Sequence, residues 1–215
     1  MNTFIIIFEI IGTIAFAISG ALTAMRKHMD IFGTCVLGVT TAVGGGMIRD
    51  SILGLTPVSA LVHPEYLLLA AVVSIIVFLP FVNKQIFLNQ KAFDIILLIA
   101  DSIGLGTFTA YGFMVAVNSG FTEWFLLIFV AVITGVGGGV MRDVFAMQEP
   151  LIFVKHVYAI ASIIGAIAFY FVYLYVDINI AFIVCFVTIF IIRILSAHFR
   201  WKLPKASIYE QPKNK

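Results

Sequence analysis

Charged side chains are scarce in this chain of 215 residues, because Asp, Glu, Lys and Arg together make up only 11% of it. A soluble domain carries about 25% charged residues, so this composition excludes a soluble globular protein. Hydrophobic residues instead account for 62% of the chain, and the mean hydropathy is +1.12. The composition therefore predicts one compact integral membrane domain.

Groups that bind metals or carry catalysis are also scarce. The two cysteines, Cys35 and Cys185, lie in apolar runs, which indicates buried thiols and no disulfide framework. The four histidines fall at the ends of apolar runs without metal-ligand spacing. The chain has no nucleophile motif, no HExxH and no Walker sequence. We therefore expect no enzyme activity, no metal site, no cofactor and no nucleic-acid partner.

Long apolar runs fill most of the chain. A spanning helix needs about 20 mostly apolar residues, and seven segments qualify. The predicted spans are Thr3–Met25, Ile31–Leu53, Glu65–Val82, Phe93–Val117, Glu123–Phe145, His156–Tyr175 and Ile178–Ala197.

The basic residues outside these spans predict the orientation of the chain. An odd number of spans puts the two termini on opposite sides of the membrane. Most Lys and Arg residues fall on the C-terminal side: Arg26, Lys27, Lys84, Lys91, Lys155, Arg200, Lys202, Lys205, Lys213 and Lys215. The positive-inside rule then places the C-terminus in the cytoplasm and the N-terminus outside.

The motif Gly-Gly-Gly-x-x-Arg-Asp occurs twice, as Gly44–Asp50 and Gly137–Asp143, each at the end of an apolar run. Glycine weakens a helix by about 1 kcal/mol relative to Ala, so each triplet predicts a break in its helix. Irregular backbone at membrane depth is tolerated where it lines a cavity, which makes both triplets candidates for lining a conduit. Close helix packing is the alternative explanation. The candidate residues are Gly44, Gly45, Gly46, Gly137, Gly138 and Gly139.

The chain contains an internal repeat. The two motifs are offset by 93 residues, and Pro57 and Pro150 share that offset. Three spans are an odd number, so the second copy enters the membrane from the opposite side, as in an inverted repeat. The predicted parts are repeat one at 1–83, repeat two at 92–175 and a seventh helix at 178–197, within one transmembrane domain at 1–199 that precedes a basic cytoplasmic tail at 200–215.

Six charged residues are candidates for gating or for ion pairs. Charges at membrane depth are expensive and usually face a protein interior or a water-filled path. Adjacent residues do not face each other on a helix, so we expect each arginine to pair with an acid from elsewhere in the fold. The candidates are Arg49 and Arg142, with Asp50, Asp143, Glu9 and Asp101 as possible partners. A carboxylate in a wet pore would attract cations, whereas one paired with arginine would only stabilise structure.

With its doubled GGGxxRD motif and the segment Asp101–Leu105, the chain resembles prokaryotic members of the trimeric intracellular cation channel (TRIC) family, over residues 1–199. Such sequences also carry the label of glycine-transporter-domain proteins. The resemblance implies a multi-pass protein of the prokaryotic inner membrane that forms a homotrimer. It further implies one K+-conducting pore in each subunit, lined by the second and fifth spans, kinked at their triplets, together with the first and fourth.

Two questions stay open at the level of the sequence. Arginines near a pore would repel cations unless they are neutralised, and a site with arginines would suit the carboxylate of an amino acid. A glycine transporter is therefore the alternative function. Membrane helices approach closely at small residues, so contacts between subunits are expected at Gly12, Ala15, Ser19, Gly33 and Gly38.

Overall fold

The computed structural model describes residues 3–81, 89–154 and 157–201, and the regular structure in these ranges is entirely helical. The helices are α1 Thr3–Arg26, α2 Ile31–Leu53, α3 Ser59–Val62, α4 Pro64–Phe78, α5 Gln90–Asn118, α6 Trp124–Phe145, α7 Leu151–Val154, α8 Val157–Tyr173 and α9 Ile178–His198.

Each predicted span overlaps one of these helices, but α4 ends at Phe78, before the predicted end at Val82. Five helices (α1, α2, α5, α6 and α9) have 21 to 29 residues and are apolar enough to cross a membrane. At about 1.5 Å per residue even the shortest reaches about 30 Å, the thickness of a hydrocarbon core. The other two, α4 and α8, are shorter apolar helices of 15 and 17 residues. Two predicted span ends, Val82 and His156, lie outside the described residues, as does nearly all of the tail.

Polar residues between the apolar runs fix where the helices begin and end. The side chain of Asp30 accepts a hydrogen bond from the Gly33 amide at 2.7 Å and so caps the N-terminus of α2. Asp177 caps α9 in the same way through the amide of Asn179. Gly54 ends α2 in the left-handed region, with φ +69°, where a side chain would be strained.

Four helices form the centre of the molecule. The helix α1 packs against α2, α4 and α5, and α2 packs in addition against α6. The helix α5 contacts α6, α8 and α9, while α9 packs on α8 and α5. The centre therefore consists of α1, α2, α5 and α6, with α4 on one flank and the pair α8 and α9 on the other.

Small residues allow these helices to pack within the subunit. Gly12, Ala15, Ser19 and Gly38 are buried against neighbouring helices of the same chain. A Cβ on Gly12 would lie 2.8 Å from the Thr107 side chain. The prediction that these four residues form contacts between subunits is therefore wrong, because the interior of the subunit uses them.

Candidate functional site

The helices α2 and α6 cross at their glycine triplets at a distance that only glycine permits. A Cβ on Gly45 would collide with the carbonyl oxygen of Thr134, and a Cβ on Gly138 with that of Thr41. A Cβ on Gly137 would lie 3.1 Å from the Cα of Gly45. The two backbones are therefore in direct contact at this point, which we call the glycine crossing.

Both helices continue through the crossing without interruption. Residues Ile31–Leu53 and Trp124–Phe145 are α-helical throughout, so the prediction that these helices break at the triplets is wrong. Backbone groups in a membrane must be satisfied internally, and an unbroken helix does this for each residue. Close packing across the crossing offsets the low helix propensity of glycine.

The contacts beside the crossing are reciprocal. Gly44 faces the side chain of Met141, and Gly137 faces that of Ile48, so each first glycine meets the same motif position of the other helix. On one side the helices leave a cavity of about 370 Å³. Its lining residues are Gly44, Met47, Ile48, Ser51, Ile52 and Met141.

The third glycines differ between the two motifs. A Cβ on Gly139 would lie 2.5 Å from the hydroxyl of Tyr158. At Gly46 the nearest atom would be a guanidinium nitrogen of Arg49, at 3.7 Å. The Gly139 position is thus closely packed, and the equivalent Gly46 position has free space.

Each arginine of the motif pairs with the aspartate that follows it. The Nε of Arg49 donates to Asp50 Oδ1 at 2.8 Å, and the Nε of Arg142 donates to Asp143 Oδ1 at 2.8 Å. The prediction that adjacent residues do not pair is therefore wrong. Arginine is long enough to reach around its own helix.

The amides of the following segments hold both carboxylates in place. The amide of Ser59 donates to Asp50 Oδ2 at 2.7 Å, and the amide of Leu151 donates to Asp143 Oδ2 at 2.8 Å. Gln148 adds a hydrogen bond to Asp143 Oδ1 at 2.8 Å. The segments that begin α3 and α7 therefore fix each aspartate against its own arginine.

Arg142 also makes the predicted pair with an acid of another helix. Its NH1 nitrogen lies 2.6 Å from Asp101 Oδ1 and donates to the Ser19 hydroxyl at 2.5 Å. These contacts join α6 to α5 and α1 deep inside the protein, where Arg142 is only 1% exposed. The structure thus brings Arg142 together with Asp101, one of its predicted partners, and with Asp143.

The last helix completes this group with an arginine that the sequence reasoning missed. Arg193 of α9 donates to Asp101 Oδ2 at 3.1 Å, and its guanidinium lies 4.7 Å from the ring centre of Tyr158. An arginine inside a predicted span was the available signal, since such charges are rare at membrane depth. We call Arg142, Asp143, Asp101, Arg193 and Tyr158 the Arg142 cluster.

The Arg49 cluster lies at the other end of the central helices and consists of Arg49, Asp50, Glu9, Tyr66 and Tyr111. The guanidinium of Arg49 lies 5.2 Å from the ring centre of Tyr111, within the range of a cation–π interaction. The hydroxyls of Tyr66 and Tyr111 are neighbours of the Glu9 carboxylate. The predicted candidate Glu9 therefore joins this cluster, but its contacts are to tyrosines.

Glu9 and Asp101 each lie three residues before a glycine, Gly12 and Gly104, which makes them equivalent positions of the predicted repeat, but they have different partners. Both oxygens of Asp101 are bonded to arginines. Among the described residues, Oε2 of Glu9 is buried and has no hydrogen-bond partner. In residues 3–81, 89–154 and 157–201 no group of three His, Cys, Asp or Glu residues is arranged to hold a metal ion.

Known proteins resemble the chain over nearly its whole length. A family model described as "Glycine transporter" matches residues 6–81 and 98–174. The UPF0126 inner membrane protein YadS of Escherichia coli K12 is 37% identical, over 94% of this chain and 96% of its own.

Two solved structures share the fold. One is described as showing the structural basis for conductance through TRIC cation channels. It is 39% identical to this chain, with a TM-score of 0.83, and the match covers 95% of this chain and 98% of that one. The other is the TRIC trimeric intracellular cation channel orthologue of Rhodobacter sphaeroides. It is 31% identical, with a TM-score of 0.84 over 93% of this chain and all of its own.

Proposed function

This chain belongs to the TRIC family, which the glycine-transporter model also describes, and on that premise we propose that it is a cation channel of the prokaryotic inner membrane. The observation that carries the proposal is the full-length likeness to a solved protein described as a TRIC cation channel, at 39% identity and a TM-score of 0.83. A cation channel needs a polar path through the bilayer. The two charged clusters supply polar groups at both ends of the four central helices.

The pore runs within one subunit, between α1, α2, α5 and α6, and passes the glycine crossing. Arginines beside such a path would repel cations, but each motif arginine is bonded to carboxylates at 2.6 to 2.8 Å. The two clusters together contain three arginines and the four acids Glu9, Asp50, Asp101 and Asp143, a formal charge of −1 (3 − 4). That balance favours cations over anions, with K+ as the main permeant ion.

The channel has seven spans, arranged as two inverted three-helix repeats and a final helix. The reciprocal contacts of Gly45 with the Thr134 carbonyl and of Gly138 with the Thr41 carbonyl support a two-fold axis through the glycine crossing. The N-terminus lies outside and the C-terminus lies in the cytoplasm, so the Arg49 cluster faces outward.

The channel assembles as a homotrimer with one pore in each subunit. The related protein of Rhodobacter sphaeroides is described as a trimeric channel orthologue, which supports this state. The small residues of α1 and α2 pack inside the subunit. The outward-facing surfaces of the helices must therefore form the contacts between subunits. Crosslinking in native membranes should give bands up to three subunits, and a stable dimer would contradict the proposal.

The reversal potential of the purified protein in a planar bilayer under a KCl gradient tests the proposed function. We expect unitary currents that reverse close to the K+ equilibrium potential. A reversal close to the Cl− potential would refute a cation channel.

Glycine transport is the second candidate, because the matching family model carries that description. A carrier for amino acids needs an accessible cation for the substrate carboxylate. Arg49 and Arg142 are both buried and already bonded to aspartates, which favours the channel. Saturable glycine uptake into proteoliposomes without unitary currents would reverse this preference.

A further inference from the structure

The two charged clusters have different charge balances. The Arg142 cluster holds two arginines and two aspartates, and Asp101 bridges the arginines. The Arg49 cluster holds one arginine and two acids, and Asp50 already binds that arginine through both Nε and NH2, at 2.8 and 2.7 Å. Glu9 is therefore left without a cationic partner of its own.

One oxygen of the Glu9 carboxylate is left without a hydrogen bond among the described residues. Its Oε2 is buried and has no hydrogen-bond partner in the described part of the chain. The hydroxyls of Tyr66 and Tyr111 donate hydrogen bonds to the carboxylate, and Arg49 is near it but is paired with Asp50. A buried carboxylate in this state is expensive unless a counter-charge is added.

We propose that the Glu9 carboxylate, with the hydroxyl oxygens of Tyr66 and Tyr111, binds a monovalent cation at the end of the pore where α1 begins. The site rests on the proposed function, since it would lie on the path of the permeant ion. Carboxylate and hydroxyl oxygens are hard donors that suit hard cations. One carboxylate with two neutral oxygens matches a single positive charge better than a divalent ion, which usually takes several carboxylates or waters.

The equivalent acid of the second repeat cannot bind a cation in the same way. Asp101 Oδ1 is bonded to Arg142 at 2.6 Å, and Oδ2 to Arg193 at 3.1 Å. Among the described residues, the proposed site therefore has no counterpart at the Arg142 end. This asymmetry gives the proposal a direct test.

The test is the single-channel conductance of Glu9→Gln at low and at high KCl, with the salt varied on the side of the Arg49 cluster. The substitution keeps the size of the side chain and removes its charge. A charge at a pore mouth raises the local concentration of counter-ions, and salt screens this effect. We expect the conductance to fall at least about threefold in 50 mM KCl and to approach that of the unmodified protein in 1 M KCl.

Glu65→Gln is the matched control. It removes the same charge from the same end of the molecule, but the Glu65 side chain is 62% exposed and bonded to His63. We expect it to leave the low-salt conductance nearly unchanged. An equal loss in both variants would overturn the site, because general surface charge would then explain the effect.

Tyr111→Phe is a second variant that keeps the ring under Arg49 and removes one proposed ligand. We expect a smaller fall in low-salt conductance than for Glu9→Gln, with an unchanged elution volume in size-exclusion chromatography. Unchanged low-salt conductance in both Glu9→Gln and Tyr111→Phe would refute the cation site. The absence of a cation current from the unmodified protein would refute the proposed function, and this outcome is distinct from a failure of the Glu9 site.

Discussion

The Arg49 and Arg142 clusters each contain the Arg-Asp pair of one copy of the glycine motif, but the two clusters differ in structure. In both, the arginine binds the next residue in the chain, and an amide of the following segment holds that aspartate. In the Arg142 cluster, residues of four other helices then surround the pair. In the Arg49 cluster the acid at the equivalent place, Glu9, has no arginine. The common motif thus determines the pair of arginine and adjacent aspartate. The surrounding helices determine whether the remaining acid, Asp101 or Glu9, has an arginine partner.

The final helix is the source of this difference. The helix α9 lies outside the two predicted repeats, and it contributes Arg193, which donates to the second oxygen of Asp101. The Tyr158 side chain fills the space between Arg193 and Gly139. In the proposed two-fold arrangement, this helix therefore supplies an additional arginine to the Arg142 cluster, and the Arg49 cluster has no such helix beside it among the described residues.

Removing Arg142 should cause the largest effect, because it takes a charged partner from both Asp101 and Asp143. Breaking a buried pair typically costs about 3–5 kcal/mol, and we expect Arg142→Ala to lose that much stability. Arg49→Ala should lose less, since it strands only Asp50, which keeps its hydrogen bond from Ser59. Detergent-induced unfolding of the purified variants measures both losses.

The double variant Arg142→Ala with Asp143→Asn is the internal control, because Asp101 stays paired with Arg193 in it. Neutralising the aspartate that has lost its arginine should recover part of the stability that Arg142→Ala loses. Strictly additive losses, or equal losses at Arg49 and Arg142, would show that the clusters do not differ in the way the contacts indicate.

Arg193→Met should make the Arg142 cluster resemble the Arg49 cluster. The variant leaves Asp101 bonded to Arg142 but frees its second oxygen. Hydrogen bonds to charged groups contribute about 1.5–3 kcal/mol, which is the loss of stability we expect in the same unfolding assay. A loss equal to that of Arg142→Ala would mean that α9 is as central to the cluster as the motif arginine.

The third glycines provide a matched comparison of packing at the two ends. Gly139→Ala would press on the Tyr158 hydroxyl and should destabilise the protein by about 1–3 kcal/mol. Gly46→Ala meets only the guanidinium of Arg49, at an ordinary contact distance of 3.7 Å, so it should be neutral or should stabilise α2 by up to about 1 kcal/mol. Unfolding curves of the two variants decide this, and similar losses at both positions would contradict the difference in free space.

Tyr158→Phe should give the smallest change. The hydroxyl lies 3.4 Å from Asp101 Oδ1, a long hydrogen bond, while the ring under Arg193 is kept. We expect a loss below about 1 kcal/mol. Tyr158→Leu removes the ring as well and should lose more, so equal losses in the two variants would rule out a contribution from the ring.

The sequence predicts the helical segments well because a membrane-spanning helix requires a long apolar run. The segments Ile31–Leu53 and Ile178–Ala197 agree with α2 and α9 to within one residue. The pair of Arg142 with Asp101 was also among the predicted partners and is present. Charges buried in an apolar protein have few possible partners, so the composition alone narrows the choice of ion-pair partners for each arginine.

Contacts that depend on side-chain reach and on neighbouring helices were not predictable in the same way. Helix geometry argues against pairing of adjacent residues, but the Arg49 side chain bends around its helix to Asp50. Glycine propensity argues for a break at Gly45, but the close approach of Thr134 makes an unbroken helix favourable. Both outcomes depend on tertiary contacts that no local pattern contains.

The contacts of the two arginines also differ in when the chain can make them. Arg49 finds its bonded partners, Asp50 and Ser59, within ten residues, so that pair is available soon after the ribosome has made α2 and α3. Asp101 receives its second arginine only from position 193, near the end of synthesis. During translation the first motif is therefore neutralised early. In the Arg142 cluster, Asp101 lacks its second arginine partner until α9 has entered the bilayer.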